Sequence, residues 1–159
     1  RQKEPALNVS KYAIDRYGLS VAQIVAAKRG EDITLDSGER LSNSDITYRP
    51  YGTLAYAYCS DTNYSARLAK MVEGVDMLYH EATYSAAERK MAKLRGHSST
   101  TDAAKVAKMA GAGKLLIGHF SSRYKELEPL LQECREIFPE TYIAEERETF
   151  TILENRTKQ

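Results

Sequence analysis

The side chains best suited to chemistry are three histidines and two acids within residues 54–124. Asp61 follows one apolar run, His80 and Glu81 follow a second, His119 follows a third, and His97 lies in a polar loop. Imidazole and carboxylate groups are common ligands of zinc, and imidazole also transfers protons near neutral pH. These residue types therefore predict a metal centre, acid–base catalysis, or both.

Strands and helices are predicted to alternate through this part of the chain. Apolar runs at residues 54–58, 75–79 and 115–117 are typical of buried strands, and each precedes a polar turn. Such alternation favours a parallel sheet, in which functional groups lie just beyond the carboxyl ends of the strands. We therefore expect Asp61, the His80-Glu81 pair and His119 to meet at one edge.

Helical periodicity and capping signals predict the elements between these strands. Helices are expected at residues 11–14, 21–29, 64–73, 85–95, 100–110 and 127–138. In the helix over 64–73, Leu68, Met71 and Val72 are predicted to point inward. Alternating segments predict a hairpin from 32–35 to 41, a strand at 46–48, and closing strands at 142–144 and 149–153, with a solvated turn at 145–148.

Each candidate also has a purely structural interpretation. Asp61 in its Ser-Asp-Thr turn suits a helix cap or a carboxylate that bridges two metal ions. His119 suits a core residue or a ligand, and His97 suits a contact at a helix terminus or a proton donor. Glu81 suits a solvated carboxylate at a strand end or a group that orients His80.

A basic turn follows the third strand. Ser121, Arg123 and Tyr124 carry hydroxyl and guanidinium donors, which suit phosphate. These residues predict an anion-binding group just beyond His119.

Composition limits the class of protein. The 159 residues are 42% hydrophobic, carry a formal net charge of +1, and contain no apolar run long enough for a membrane helix. Two cysteines do not make a disulfide framework, so Cys59 and Cys134 are predicted to be reduced core thiols. The chain begins at Arg1 without an initiator methionine, which predicts a start within a longer protein. It also shows no signal-peptide core, which favours a cytoplasmic location.

Four short motifs together resemble the second half of the ribonuclease Z family, tRNA 3′-processing endonucleases of the metallo-β-lactamase superfamily. The resemblance covers about residues 20–153 and rests on these motifs: Ser60-Asp61-Thr62, His80-Glu81-Ala82-Thr83-Tyr84, Gly96-His97-Ser98-Ser99 and Gly118-His119-Phe120-Ser121-Ser122-Arg123-Tyr124. Ser99 stands where the family pattern has threonine, which keeps the hydroxyl. The His-Glu-Ala-Thr and His-Phe-Ser-Ser-Arg-Tyr motifs are the most specific.

The resemblance implies roles for individual residues. Asp61 would bridge two zinc ions and His119 would hold one, while His97 would assist phosphodiester cleavage with support from Glu81. His80 would be a structural support. The RNA backbone would be contacted, or the site lined, by Ser121, Arg123 and Tyr124. A weaker resemblance to the family's Lys-x-Gly region adds a contact by Lys28 and Gly30.

The resemblance also implies the architecture. Residues 1–159 would form the carboxyl-terminal half of one metallo-β-lactamase domain, an α/β fold that contributes one mixed sheet and its helices to a four-layer αββα sandwich. The family's His-x-His-x-Asp-His motif belongs to the other half, and the three histidines of this chain do not have that spacing. The partners that the resemblance implies are the missing amino-terminal half, precursor tRNA, and a second copy in a homodimer.

The implied reaction is zinc-dependent hydrolysis that removes the 3′ trailer of precursor tRNA, and the isolated chain is expected to be inactive. One alternative is another metallo-β-lactamase phosphodiesterase or hydrolase. The other is a non-enzymatic domain in which the histidines are structural.

Overall fold

The structure is a computed structural model that describes residues 3–152. The chain divides into two compact units between Thr53 and Leu54. Among the described residues, no helix is both long enough and apolar enough to cross a lipid bilayer.

The first unit is a small assembly of short elements. Its helices are α1 (Lys11–Tyr17), α2 (Val21–Lys28) and α3 (Asn43–Ile46). Its antiparallel strand pairs are β1 (Asn8–Val9) with β4 (Thr47–Tyr48), and β2 (Ile33–Thr34) with β3 (Arg40–Leu41). The β2–β3 pair confirms the predicted hairpin. The strand predicted at 46–48 is shorter than expected, because Ile46 is the last residue of a helix and is buried in the core of this unit.

Helix α2 begins as its sequence predicts. The Ser20 hydroxyl accepts from the Gln23 backbone N–H, and the Gln23 side chain accepts from the Ser20 backbone, which forms a capping box. Lys28 and Gly30 lie exposed at its end, where Gly30 has a φ of 95°. A left-handed turn at glycine is the usual way to end a helix.

The second unit contains a four-stranded sheet in the order β5 (Tyr56–Cys59), β6 (Met77–Glu81), β7 (Lys114–Gly118), β8 (Thr141–Ile143). All three neighbouring pairs are parallel, which confirms the prediction from strand–helix alternation. Over the described residues this sheet is thus parallel rather than mixed.

The strand predicted at 149–153 is wrong over the described residues 149–152, and Leu153 lies outside them. A turn with Arg147 at a φ of 69° redirects the chain. Phe150 then lines a small cavity with Leu116 and Tyr142. Phe150 thus borders this cavity, and its segment does not form the strand that its β-propensity suggested.

Helices cover one face of this sheet. They are α4 (Ala66–Met71), α5 (Arg89–Arg95), α6 (Thr100–Ala110) and α7 (Glu128–Arg135), with a short 3-10 turn at Ala86–Glu88 before α5. The predicted small-residue face of α6 is confirmed, since Ala103, Ala107 and Val106 are fully buried in one core cluster with Leu78 and Leu115. Small side chains allow this close approach of helix to sheet.

Met71 corrects the prediction for α4. The helix buries Ala69 and partly buries Leu68 and Val72, but Met71 is 74% exposed. At about 100° per residue, Met71 falls roughly a quarter turn from the centre of that buried side. The apolar spacing alone did not distinguish the flank of the helix from its buried centre.

The opposite side of the sheet carries an aromatic row, called here the tyrosine face. Backbone register aligns Tyr58 with Tyr79, Tyr79 with Leu116, and Leu116 with Tyr142 across the four strands. The Tyr58 and Tyr79 rings stack with centroids 4.4 Å apart. Because Tyr58 is 64% and Tyr142 36% exposed, this face presents aromatic surface to solvent.

Both cysteines are free and buried, as predicted. Burial raises the pKa of each thiol, and that of Cys134 to about 12.

Since the thiolate is the reactive form, we expect neither cysteine thiol to react with Ellman's reagent at pH 8 in the folded chain, and both to react in denaturant. Glutathione is the control, and a folded chain that reacts at the rate of glutathione would contradict this.

Candidate active site at the carboxyl ends of the strands

The structure brings four of the predicted residues together at one edge of the sheet. Asp61 lies two residues after β5, Glu81 ends β6, and His119 directly follows β7. Register pairs Glu81 with Gly118, the residue before His119. His97 reaches the same place from the loop between α5 and α6.

Asp61, His97 and His119 form a group that could hold a metal ion. One ligand atom from each lies within 4.8 Å of those of the other two. The Nε2 atom of His119 is 3.7 Å from Oδ1 of Asp61, and these side chains are 42% and 71% exposed. One carboxylate and two imidazoles suit zinc, and exposure leaves room for further ligands and a substrate. The residues present therefore fit a metal.

Neither structural alternative holds for the two residues at the strand ends. Asp61 does not cap α4, because the cap is Ser65, whose hydroxyl accepts from the Leu68 backbone N–H. His119 is too exposed to be a core residue. Both residues have positive φ, 50° for Asp61 and 59° for His119, a region that costs a non-glycine residue about 1–2 kcal/mol.

Gly118, the last residue of β7, lies tightly against Tyr79. A Cβ atom at this position would lie 2.5 Å from the Tyr79 hydroxyl, well inside van der Waals contact. A larger residue here would therefore have to displace the end of the Tyr79 side chain.

Glu81 is the centre of the hydrogen-bond network. Its side chain is fully buried and accepts from the backbone N–H of Thr62 at 2.6 Å and of Ser98 at 3.1 Å. The Thr83 hydroxyl donates to Oε2 at 2.5 Å, and His97 Nδ1 lies 3.0 Å from Oε1. The alternative of a solvated carboxylate is therefore wrong for Glu81.

Glu81 orients His97, not His80. Neighbouring residues on a strand point to opposite faces, so the Glu81 carboxylate and the His80 ring diverge. His80 Nδ1 instead lies 2.7 Å from the Glu81 backbone oxygen, and burial lowers the pKa of His80. Its ring is fully buried, and Nε2 has no hydrogen-bond partner within residues 3–152.

The contact with Glu81 fixes which ring nitrogen of His97 carries the hydrogen-bonded proton. A carboxylate only accepts hydrogen bonds, so His97 Nδ1 must be the donor. Nε2 is then the nitrogen available for proton exchange, on a side chain that is 24% exposed. A partly exposed imidazole whose other nitrogen is held by a buried carboxylate is the usual arrangement of a general acid or base.

Thr83 is a site residue that the sequence reasoning missed. Its hydroxyl donates to Glu81 and lies 3.0 Å from His119 Nδ1, from which it must accept. That bond leaves His119 Nε2 as the nitrogen with a lone pair, near Asp61. The alternation of strand side chains places Thr83 on the side of Glu81, two residues earlier, and this was the available signal.

The predicted anion-binding group is held together by an acid of the same chain. Arg123 forms an ion pair with Glu88 and donates to the Ser121 hydroxyl at 3.1 Å. The Tyr124 hydroxyl donates to Glu88 and accepts from the Ser85 backbone N–H. The sequence suggested Glu88 only as part of a capping box with Ser85, which does not form; Glu88 instead occupies one side of the Arg123 guanidinium, which is half exposed.

Similar proteins share this chain's sequence over nearly its whole length. Ribonuclease Z of Porphyromonas gingivalis is 38% identical over 146 residues, which are 92% of this chain and 48% of that protein. Ribonuclease Z of Cytophaga hutchinsonii is 39% identical over 153 residues, which are 96% of this chain and 48% of that protein. No family model matches the chain.

A solved structure supports the fold. The metallo-β-lactamase fold protein YhfI from Bacillus subtilis aligns with a TM-score of 0.50 and 27% identity, covering 54% of this chain and 34% of that one. The α/β arrangement is thus part of a metallo-β-lactamase fold. This chain is a relative of ribonuclease Z, and it spans about half the length of the ribonuclease Z proteins that it matches.

Proposed function

We propose that this chain is the carboxyl-terminal half of a ribonuclease Z, a zinc-dependent endoribonuclease that removes the 3′ trailer of precursor tRNA in the cytoplasm. The observation that carries the proposal is the cluster of Asp61, His97 and His119 at the sheet edge, anchored by buried Glu81. The similarity to ribonuclease Z supplies the reaction.

Asp61 and His119 are the residues that would hold metal, and a bound zinc ion would stabilise developing charge and activate water near neutral pH. His97 acts on the leaving group. With Nδ1–H held by Glu81, protonated Nε2 donates to the departing 3′ oxygen as its bond to phosphorus breaks. The oxygen of a water molecule forms the new bond to phosphorus as the water loses a proton to solvent, which leaves a 3′ hydroxyl on the tRNA and a 5′ phosphate on the trailer.

Two further groups would serve this reaction. Ser121, Arg123 and Tyr124 follow His119 and would contact the RNA backbone, with Glu88 setting the position of Arg123. Lys28 and Gly30 of the first unit would add a peripheral contact. Because the substrate is a polyanion, its binding should weaken with salt.

The tyrosine face is where the amino-terminal half would pack. Tyr58 and Tyr142 expose aromatic surface on the side of the sheet opposite the helices. In an αββα sandwich that side meets the second sheet, so residues 1–159 would be one half of a single domain. The complete enzyme would form a homodimer.

The isolated 159-residue chain is expected to bind zinc weakly and to cleave little or no precursor tRNA. Asp61 and His119 supply only part of a closed coordination shell, even with His97 nearby. Isothermal titration with zinc and a gel assay of precursor tRNA are the measurements. Addition of the complementary half should restore both properties, and the Asp61→Ala chain is the control. Tight stoichiometric zinc binding or robust cleavage by the chain alone would contradict the proposal.

A different metallo-β-lactamase hydrolase is the second candidate, because the similarity to YhfI extends to the fold and names no reaction. The assembled enzyme should be tested on precursor tRNA and on a small phosphodiester side by side. Selective cleavage of the tRNA supports ribonuclease Z, whereas preference for the small diester supports the alternative.

A further inference from the structure

A cavity of about 630 Å³ opens beside His97, on the side of α5 and the loop before α4. Its volume lies within the range of about 300–1,000 Å³ typical of ligand sites. The residues that matter for its chemistry are Tyr64, Ala86, Ala87, Lys90, Lys93 and His97.

The cavity has two unpaired cations at its edge. Lys90 and Lys93 lie three residues apart on α5, so their side chains share one side of the helix. Both are exposed, and neither forms an ion pair within the described part of the chain. Arg89 is different, because its Nε donates to the nearly buried carboxylate of Asp102 at 2.7 Å. The two ammonium groups are therefore available for an anionic ligand.

Apart from Asn63 and the Arg89–Asp102 ion pair, the rest of the wall is formed by Tyr64 and two alanines. The Tyr64 ring has the Arg89 guanidinium 5.9 Å from its centroid, and its hydroxyl bonds the Met109 sulfur at 3.3 Å. Ala86 and Ala87 add small apolar surface. A flat aromatic side chain beside lysines is the combination that single-stranded RNA sites use, because bases pack on rings and phosphates pair with cations.

We propose that this cavity binds the RNA nucleotide that carries the departing 3′ oxygen. The base and ribose pack against Tyr64, Ala86 and Ala87, and the phosphates on the 5′ side pair with Lys90 and Lys93. This inference rests on the proposed function, in which His97 protonates the leaving oxygen. His97 lines the cavity, so a nucleoside bound there lies next to the imidazole that donates to its 3′ oxygen.

The test is an NMR titration of the ¹⁵N-labelled 159-residue chain with a trinucleotide RNA that ends in a 3′ hydroxyl, a probe that needs neither metal nor cleavage. Amide shifts are expected at Tyr64, Lys90, Lys93 and His97. The variant Lys90→Ala/Lys93→Ala should bind about tenfold more weakly, and its log Kd should change less steeply with log salt, by about 1.4 for two lost contacts.

The matched control removes two exposed lysines outside the cavity, in Lys70→Ala/Lys108→Ala, and should bind within about twofold of the parent chain. Equal weakening in both double variants, or no weakening in the first, would overturn the site. The proposed function fails separately, if the trinucleotide binds in the cavity but the assembled enzyme does not cleave precursor tRNA.

Discussion

Replacement of Glu81 by glutamine is expected to lower the free energy of unfolding of this chain by about 2–4 kcal/mol, because buried donors lose their acceptor. Glutamine keeps the shape of the side chain but turns one oxygen into an NH₂ group. If that group replaces Oε2, it meets the Ser98 backbone N–H; if it replaces Oε1, it meets that of Thr62. Urea unfolding followed by circular dichroism measures the change.

Glu126→Gln is the matched control, since Glu126 is exposed and the same substitution there should change stability by less than about 0.5 kcal/mol. A second readout is the NMR signal of the His97 ring, which should lose its fixed tautomer when the carboxylate is removed. Unchanged stability together with an unchanged His97 spectrum would mean that Glu81 does not organise the site.

In the assembled enzyme, His97→Ala is expected to lower turnover by about 10²–10⁴-fold while the metal content stays near normal. The reason is that His97 Nδ1 is engaged by Glu81, which leaves a single nitrogen for proton transfer. Asp61→Ala should instead lose metal, because its carboxylate is a ligand in the proposal. Metal analysis of both purified variants, with single-turnover kinetics on precursor tRNA, separates the two roles.

The geometry makes this comparison decisive, because His97 also lies within ligand distance of Asp61 and His119. If His97→Ala lost metal and Asp61→Ala kept it, the assigned roles would be reversed. Thr83→Val is a useful companion variant, since it removes the hydroxyl between Glu81 and His119 while preserving shape. It should weaken metal affinity by about 10–100-fold, as loss of such supporting contacts typically does.

The sequence was sufficient to predict which residues meet, because that depends on strand order. Apolar runs define β5, β6 and β7, and parallel pairing places the residues just after each strand at one edge. Alternation along β6 was equally readable and would have separated Glu81 from His80. The edge location of Asp61 and His119 therefore followed from local pattern and topology alone.

The rest depended on contacts between segments distant in the chain. Glu88 reaches Arg123, 35 residues away, and Glu81 reaches Thr62 and Ser98 on two different loops. The periodicity of a helix or strand cannot predict contacts between residues so far apart in the sequence. Residues 149–152 show the same limit, since they form no strand despite their β-propensity, and Phe150 lines a cavity with Leu116 and Tyr142.

The left-handed backbone at Asp61 and His119 has a consequence for engineering this protein. Glycine would adopt these conformations with far less strain, so a library screened only for thermal tolerance would be enriched in glycine at both positions. Such a screen would discard the two side chains proposed to hold metal while appearing to improve the protein. Stabilisation should therefore be sought at exposed apolar positions such as Val21 and Leu94, with residues 61 and 119 held constant.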